Sequence, residues 1–386
     1  MDAKSGAQER FDSVRDEMLA LSHRIHANPE LGYEEEKAAA WLSETLDAAG
    51  FQVETGICDI PTAFVGRAGS GPLHIGICAE YDCLPEIGHA CGHNIIAAMG
   101  VGAGIAAAKI ADEVGLTVSV IGTPAEEGGG GKIQLLERGG FSGMHAAMMV
   151  HPAPLDVVEF PIIAASMFDV CYTGKEAHAS AFPERGINAA DALTVAQTAI
   201  GLLRQHIRSS DRIHGIITKG GDAPNVIPAH TRASYMVRAK TIGDLAEIQE
   251  KVRRCFEAGA LATGATLEIV GDEKPYAEMH HDPDMAAAYR RNAEALGRSF
   301  PDRGSSLERA AGSTDMGNVS LALPSIHPAI GIDSLPAVNH QPEFTAHCVS
   351  PAADKAVIDG ALAMAWTAID LATDTQIRQR LLSKTA

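Results

Sequence analysis

The chemistry this chain can do is concentrated first in Gly88-His89-Ala90-Cys91-Gly92-His93-Asn94. A thiolate and an imidazole two residues apart, where a strand hands over to a helix, can both face one metal ion. A helix start would also favour the thiolate and lower the pKa of Cys91. The triplet alone is equally satisfied by a buried structural cysteine beside a surface histidine. A second cluster, Thr123-Pro124-Ala125-Glu126-Glu127-Gly128-Gly129-Gly130-Gly131-Lys132, follows a Val/Ile-rich run ending at Ile121. Adjacent carboxylates point in different directions, so one can hold an ion while its neighbour handles a proton. A solvated acidic turn is the alternative. A phosphate loop is excluded, because G-x-x-x-x-G-K-[ST] would need glycine at Glu126 and a hydroxyl residue at Ile133. Three histidines stand out by position: His151 just past the apolar run Ala146–Val150, His340 in the polar loop Asn339–Phe344, and His178 in Gly174–Ser180.

These residues must be placed by the elements around them. Phe11, Val14, Met18, Leu21 and Ile25 form one apolar stripe, which predicts a single N-terminal helix ending at Asn28-Pro29. A helix over Glu34–Ala49, a strand over Leu73–Cys78, a helix over Asn94–Asp112 and a strand over Leu116–Ile121 follow. A helix near Gly131–Glu137 and the run Ala146–Val150 complete a β/α alternation, which predicts a mostly parallel sheet with both faces covered. Ligands of such sheets sit at the carboxyl ends of strands, where the second cluster and His151 lie. From Met167 to Val270 the order becomes β-α-β-β-α-β, the ferredoxin-like split motif. The alternation resumes with a helix near Pro283–Leu296, a strand over Ser325–Ile332 and a helix from Ser350 to about Ala372. The fold class is therefore α/β, a larger mostly parallel-sheet domain over residues 1–165 and 281–386 interrupted by an inserted ferredoxin-like domain over 166–280.

Composition narrows the function. Lys and Arg total 31 against 49 Asp and Glu, a net charge of -18 that repels phosphate backbones and anionic lipid, so neither nucleic acid nor membrane is expected as a partner. The longest apolar stretch, Ile95–Ala108, is shorter than the ~20 residues of a membrane span. Met1–Arg10 is polar and lacks the apolar core of a signal peptide. The 7 cysteines are an odd number scattered through a long chain and do not resemble a disulfide framework. A cytoplasmic location is expected.

His26–Gly32, Ala79–Asn94, Thr123–Lys132, Met149–Pro152, Gly174–Ala190, Asn225–Pro228, Gly312–Ser320 and His340–Phe344 together resemble the di-metal aminoacylase/carboxypeptidase family. The resemblance is greatest to the branch holding auxin-conjugate amidohydrolases and aminobenzoyl-glutamate hydrolases. It implies that Cys91, His93, Glu127, His151 and His340 hold two divalent ions (Mn, Zn, Co or Ni), with Cys91 shared. It implies Glu126 as general base and His178 as a donor to the substrate oxyanion, with Asn225 lining the same pocket. It also implies dimerisation through the inserted domain. Members with an Asp-bridged pair carry His-x-Asp where this chain has Glu80-Tyr81-Asp82, so Asp82 is expected behind a ligand and Glu80 has no assigned role. Asn94 stands where many auxin-conjugate hydrolases carry Asp, which weakens transfer of their substrate preference.

The implied activity is amide hydrolysis of a small N-acyl or N-aroyl amino acid or a dipeptide-like substrate. Arg238 is either a cation for a substrate carboxylate or half of a structural ion pair on its strand. His327, in Ile326-His327-Pro328, either lines the pocket or is packed at a strand end. Hydrolytic deamination of a small aryl amine uses the same chemistry and stays open. A binding protein that kept the fold and lost the chemistry is disfavoured, because all five ligands and the base are present.

Overall fold

The computed structural model describes residues 2–271, 273–301 and 312–383. The chain forms two compact units, Met1–Pro161 with Met279–Ala386, and Ile162–Glu278. In chain order the described strands begin with β1 (Gln52–Thr55), β2 (Phe64–Ala68), β3 (Leu73–Ala79), β4 (Leu116–Gly122), β5 (Ala146–Met148) and β6 (His151–Ala153). They continue with β7 (Ala164–Thr173), β8 (Arg212–Lys219), β9 (His230–Ala239), β10 (Thr266–Val270), β11 (Ser325–Ile326) and β12 (Ala329–Gly331).

The first unit is mixed α/β, with a central sheet ordered β1-β2-β4-β3-β5-β11. The neighbours among β4, β3, β5 and β11 are parallel, and β1 and β2 run antiparallel at one edge. Every residue of β3 and β4 except His74 and Thr117 is buried, as expected of strands covered on both faces. Helix His93–Ala108 is buried along its length and apolar on all sides, so it shows no amphipathic stripe. It packs on β3 and β4 and against helix Pro351–Thr373. That second helix is long and apolar enough to cross a membrane, yet 78% of its apolar window is buried in the protein, which accounts for its composition.

Four details depart from the sequence expectations. The N-terminal helix is two, Ala3–Asp12 and Arg15–His26. The Ser13 hydroxyl donates to the Arg10 carbonyl at 2.6 Å, and the Val14 N–H turns to Phe11 instead of Arg10, which breaks the ladder without moving the apolar stripe. The strand expected over Ser325–Ile332 is likewise two, since Pro328 has no N–H to give. β11 pairs with β5, and β12 pairs with β6 in a separate ribbon. The helix expected over Asn94–Asp112 ends at Ala108, followed by the short helix Ala111–Val114. The antiparallel edge β1–β2 gave no signal, because Gln-Val-Glu-Thr is short and largely exposed.

The second unit runs β7, helix Ala189–Leu203, β8, β9, helix Ile242–Thr263 and β10, with an antiparallel sheet ordered β10-β7-β9-β8. Phe168, Tyr235 and Phe256 centre its core, with the Tyr235 and Phe256 rings 5.0 Å apart in an edge-to-face pair. Asn188 and Thr241 cap the two helices, accepting from Ala190 N and Asp244 N.

Close approach of helix His93–Ala108 to the sheet gives a testable consequence. A Cβ at Gly104 would lie 2.2 Å from Val120 Cγ2. Alanine is the better helix former by about 1 kcal/mol, but overpacking a core costs about 1–3 kcal/mol. Gly104→Ala should therefore lower the midpoint of denaturant unfolding. An equal or higher midpoint would refute the close approach.

Candidate metal centre

The site gathers at the carboxyl ends of β3, β4 and β5, all in the first unit. Beyond β3 the chain carries Glu80 and Asp82, then Cys91 and His93 at the start of helix His93–Ala108. Gly92, between those two, has φ +77°, and a Cβ on it would sit 2.5 Å from Pro152 Cγ. Only glycine takes that backbone with Pro152 so close, and the approach brings Cys91 to His151. Cys91 Sγ lies 3.5 Å from His151 Nε2 and 3.5 Å from His340 Nε2. His340 N–H donates to Ala90 O at 2.9 Å, fastening its loop beside the same segment.

The second cluster forms a tight turn. Ala125 adopts φ +56° without being glycine, a conformation that costs on the order of 1–2 kcal/mol. The turn is held on several sides. Thr123 N and Oγ1 both donate to Ala79 O, at 2.8 and 3.0 Å. Ala125 N donates to Glu35 Oε1 at 2.8 Å, and Glu127 N donates to Asp82 Oδ2 at 2.9 Å. Glu127 Oε1 is thereby brought 3.4 Å from His340 Nε2 and 3.9 Å from His93 Nε2. Glu126 Oε2 lies 3.9 Å from His93 Nε2.

Two ligand triplets centre on Cys91, one with His93 and His151 and one with Glu127 and His340, each with its donor atoms within 4.8 Å of one another, and Glu80, His93 and Glu126 form a third group of the same spacing. The first two share the Cys91 sulfur. His93 Nδ1 is 2.9 Å from Asp82 Oδ1, and His151 Nδ1 is 2.8 Å from Pro152 O, so each ring turns its Nε2 to the cluster. His93 Nε2 is buried with no hydrogen-bond partner among the described residues. Thiol, imidazole and carboxylate donors aimed at one another suit a borderline divalent ion. The residues present fit a metal centre.

Burial and neighbouring charge separate the two carboxylates of the turn. Burial, then the charges of Glu127 and Glu80, push Glu126 well above the usual carboxylate range. Burial also pushes Glu127 up, but His340 and His93 outweigh it and hold it below its ordinary value. Such a split is how adjacent acids take different roles. Burial brings His151 down to about 4, keeping its imidazole neutral. The lowered pKa expected for Cys91 at a helix start is corrected: burial and then Glu127 push the thiol well up.

Sequence reasoning missed a buried ionic group beside these residues. Lys132 Nζ donates to Glu80 Oε1 at 2.5 Å and to Asp315 Oδ1 at 2.6 Å, with all three side chains fully enclosed. Glu80 Oε2 faces His93 Nε2 at 3.5 Å. Burial opposes the ammonium, yet Asp315 and Glu80 outweigh it and hold Lys132 charged. The available signal was a lysine directly after a glycine run with no phosphate-loop partner. Asn339 was also missed, and its Nδ2 donates to Pro152 O at 3.1 Å.

The remaining candidates divide between the units. His327 is 4% exposed, its ring centroid 5.4 Å from that of His151, and neither ring nitrogen has a hydrogen-bond partner among the described residues. His178, Asn225 and Arg238 belong to Ile162–Glu278. There His178 bridges to Val226, and Ala179 N donates to Asn225 O at 3.0 Å, so His178 and Asn225 flank one backbone bridge. Arg238 is half-buried on β9, opposite Ala165 and Arg212, and burial lowers its pKa.

Loss of a group that orients a ligand typically costs ~10–100-fold in metal affinity. Asp82→Ala removes the anchor of both His93 and Glu127 N–H, so competition with a chromophoric chelator should show at least that loss. Cys91→Ala, which strikes both triplets, should lower the metal:protein ratio by plasma emission. An unchanged ratio would remove Cys91 from the ligand set.

The same residues lie inside a region of wider similarity. A sequence model described as peptidase family M20/M25/M40 matches residues 78–363. Xaa-Arg dipeptidase of Mus musculus is 39% identical over 95% of this chain and 88% of its own length. A p-aminobenzoyl-glutamate hydrolase chain of Escherichia coli is 32% identical over 69% of this chain and 60% of its own length. Among solved structures, the aminobenzoyl-glutamate utilization protein of Klebsiella pneumoniae superposes with TM-score 0.74 at 18% identity, covering 95% of this chain and 98% of that one. A Bacillus subtilis protein described as a dinuclear metal binding peptidase gives TM-score 0.68 at 20% identity, covering 93% and 99%. With most of the chain matched and the donor residues of both triplets lying within the matched span, this chain belongs to peptidase family M20/M25/M40.

Proposed function

We propose that this C–N hydrolase cleaves dipeptides whose C-terminal residue is cationic, of the Xaa-Arg type, using two divalent ions (Mn, Zn, Co or Ni) and Glu126 as general base. The observation that carries the reading is the pair of triplets sharing Cys91, with the Glu126 carboxylate 3.9 Å from His93. His93 and His151 would hold one ion, Glu127 and His340 the other, and Cys91 both. When bound, the ions supply Lewis acidity toward the amide carbonyl and bring the pKa of water toward neutrality.

Glu126 takes a proton from the attacking water as its oxygen bonds to the amide carbon. The same carboxyl returns that proton to the nitrogen as the C–N bond breaks, leaving a carboxylic acid and an amine. Its burial excludes bulk water from the transfer. The family resemblance makes His178 and Asn225 candidate donors to the carbonyl oxygen, and one such donor is typically worth ~10²–10³ in rate. Arg238 is a candidate cation for a substrate carboxylate, and His327, whose ring centroid lies 5.4 Å from that of His151, is a candidate pocket residue.

The choice of substrate is supported by two Xaa-Arg dipeptidases, of mouse and human, at 39% and 37% identity over 95% of this chain. The net charge of -18 also favours encounter with a cationic dipeptide. The order β10-β7-β9-β8 supports a ferredoxin-like reading of Ile162–Glu278, and the homodimer formed through that unit rests on the family resemblance. Seven free cysteines agree with a reducing, cytoplasmic setting.

The test is a substrate screen on metal-stripped protein reloaded with each ion in turn. It would cover Xaa-Arg dipeptides, N-acyl amino acids, p-aminobenzoyl-glutamate and aryl amines. Xaa-Arg turnover should lead, and ammonia release from an aryl amine as the main activity would favour deamination instead. Glu126→Gln should keep its metal and lose at least ~10²-fold in kcat. Turnover near the parent rate would end the base assignment.

A further inference from the structure

Among the buried acids that have no part in that mechanism, Glu35 lies directly against the acidic turn. Glu35 is fully enclosed, and burial pushes its pKa up to about 7. It is separated in sequence from every residue of the site, yet its Oε1 accepts the Ala125 N–H at 2.8 Å. Ala125 is the residue with φ +56° that immediately precedes Glu126 and Glu127.

The rest of the segment around Glu35 lies on the same turn. A Cβ at Gly32 would stand 2.9 Å from Ala125 Cβ. The Tyr33 hydroxyl donates to Gly129 O at 2.6 Å and receives a hydrogen bond from Gln134 Nε2. The segment is itself anchored: Cys83 N donates to Glu30 O at 2.9 Å, and Glu30 Oε2 accepts from Lys37 N and Ala38 N at 3.0 Å each. Residues 30–35 therefore span from the loop after Asp82 to the outer side of the 125–129 turn.

We propose that Glu35 is a positioning residue for the base. By holding the Ala125 N–H it keeps a non-glycine residue in a left-handed conformation, and that conformation separates the directions of Glu126 and Glu127. An alanine freed of the bond reverts toward ordinary φ, which rotates the following peptide and swings both carboxylates. A misplacement near 1 Å can cost ~10²-fold in rate. The inference rests on the proposed role of Glu126.

The test compares Glu35→Gln, Glu35→Leu, Ala125→Gly and the double variant Glu35→Leu/Ala125→Gly in the metal-loaded enzyme. Glutamine keeps an acceptor oxygen in place, so Glu35→Gln should hold kcat within about threefold. Glu35→Leu, read at saturating metal, should lose about 10–100-fold in kcat with KM within about twofold, and its metal affinity should fall as well, because Glu127 moves with Glu126. Glycine adopts positive φ at no steric cost, so the double variant should return to within about threefold of Ala125→Gly alone. A packing role for Glu35 would show no such recovery. Hydrogen exchange of the Thr123–Gly131 peptide should quicken in Glu35→Leu whatever the substrate. If Glu35→Leu does not fold, Glu35→Asp keeps the acid but withdraws it from Ala125 N–H, and the same loss and recovery are expected. Parent-like kcat and exchange in the folded variant, or a double variant as slow as the single, would overturn the proposal. Failure of the base reading shows separately, as turnover in Glu126→Gln with the exchange result intact.

Discussion

The Asp82 carboxylate ties together the segments that make the site. One oxygen fixes the His93 ring and the other takes the N–H of Glu127, so the helix start and the acidic turn share a single anchor. Burial alone would push this acid up, yet the neighbouring His93 charge outweighs it and keeps the carboxylate ionised. A neutral acid could accept less strongly on both sides, and the spacing between His93 and Glu127 would loosen together. Two of the candidate ligands, His93 and Glu127, thus depend on one group staying charged in a place where charge is costly.

The acids of the centre would repel one another without internal compensation. Glu80, Asp315 and Glu126 lie near one another, and Lys132 stands between the first two as a buried counter-charge. Buried ion pairs add little net stability compared with apolar residues of equal volume, but losing one partner alone is strongly destabilising. Lys132 is thus understood as a requirement of geometry: it lets Glu80 direct its second oxygen at His93 while its first is neutralised.

Much of this was legible in the sequence, and the reasons are local. Cys91 and His93 are close in the chain and are separated by a glycine whose backbone the site needs, so the motif showed itself. Glu126 and Glu127 showed for the same reason, and β3 and β4 did because strands covered on both faces are continuously apolar. Lys132 and Asp315 meet across 183 positions, and Glu35 meets Ala125 across 90. Nothing in the spacing of such residues announces their contact. The break at Ser13 was hidden because the apolar stripe continues through it, and the break at Pro328 because both halves are buried strand. The rise in the Cys91 pKa depends on which acid ends up beside the sulfur, a fact of tertiary structure.

The sharing of one sulfur by two triplets has a thermodynamic consequence under the proposed reading. The Cys91 thiol is costly to ionise where it sits, and it gives up its proton only once for both positions. Whichever position fills first bears that deprotonation, and the second meets a ligand already in the thiolate form. Occupancy of the two positions is then linked, with a coupling that is equal in both directions. Two opposed effects set the sign of that coupling: the shared deprotonation favours joint filling, and repulsion between two cations at one sulfur opposes it.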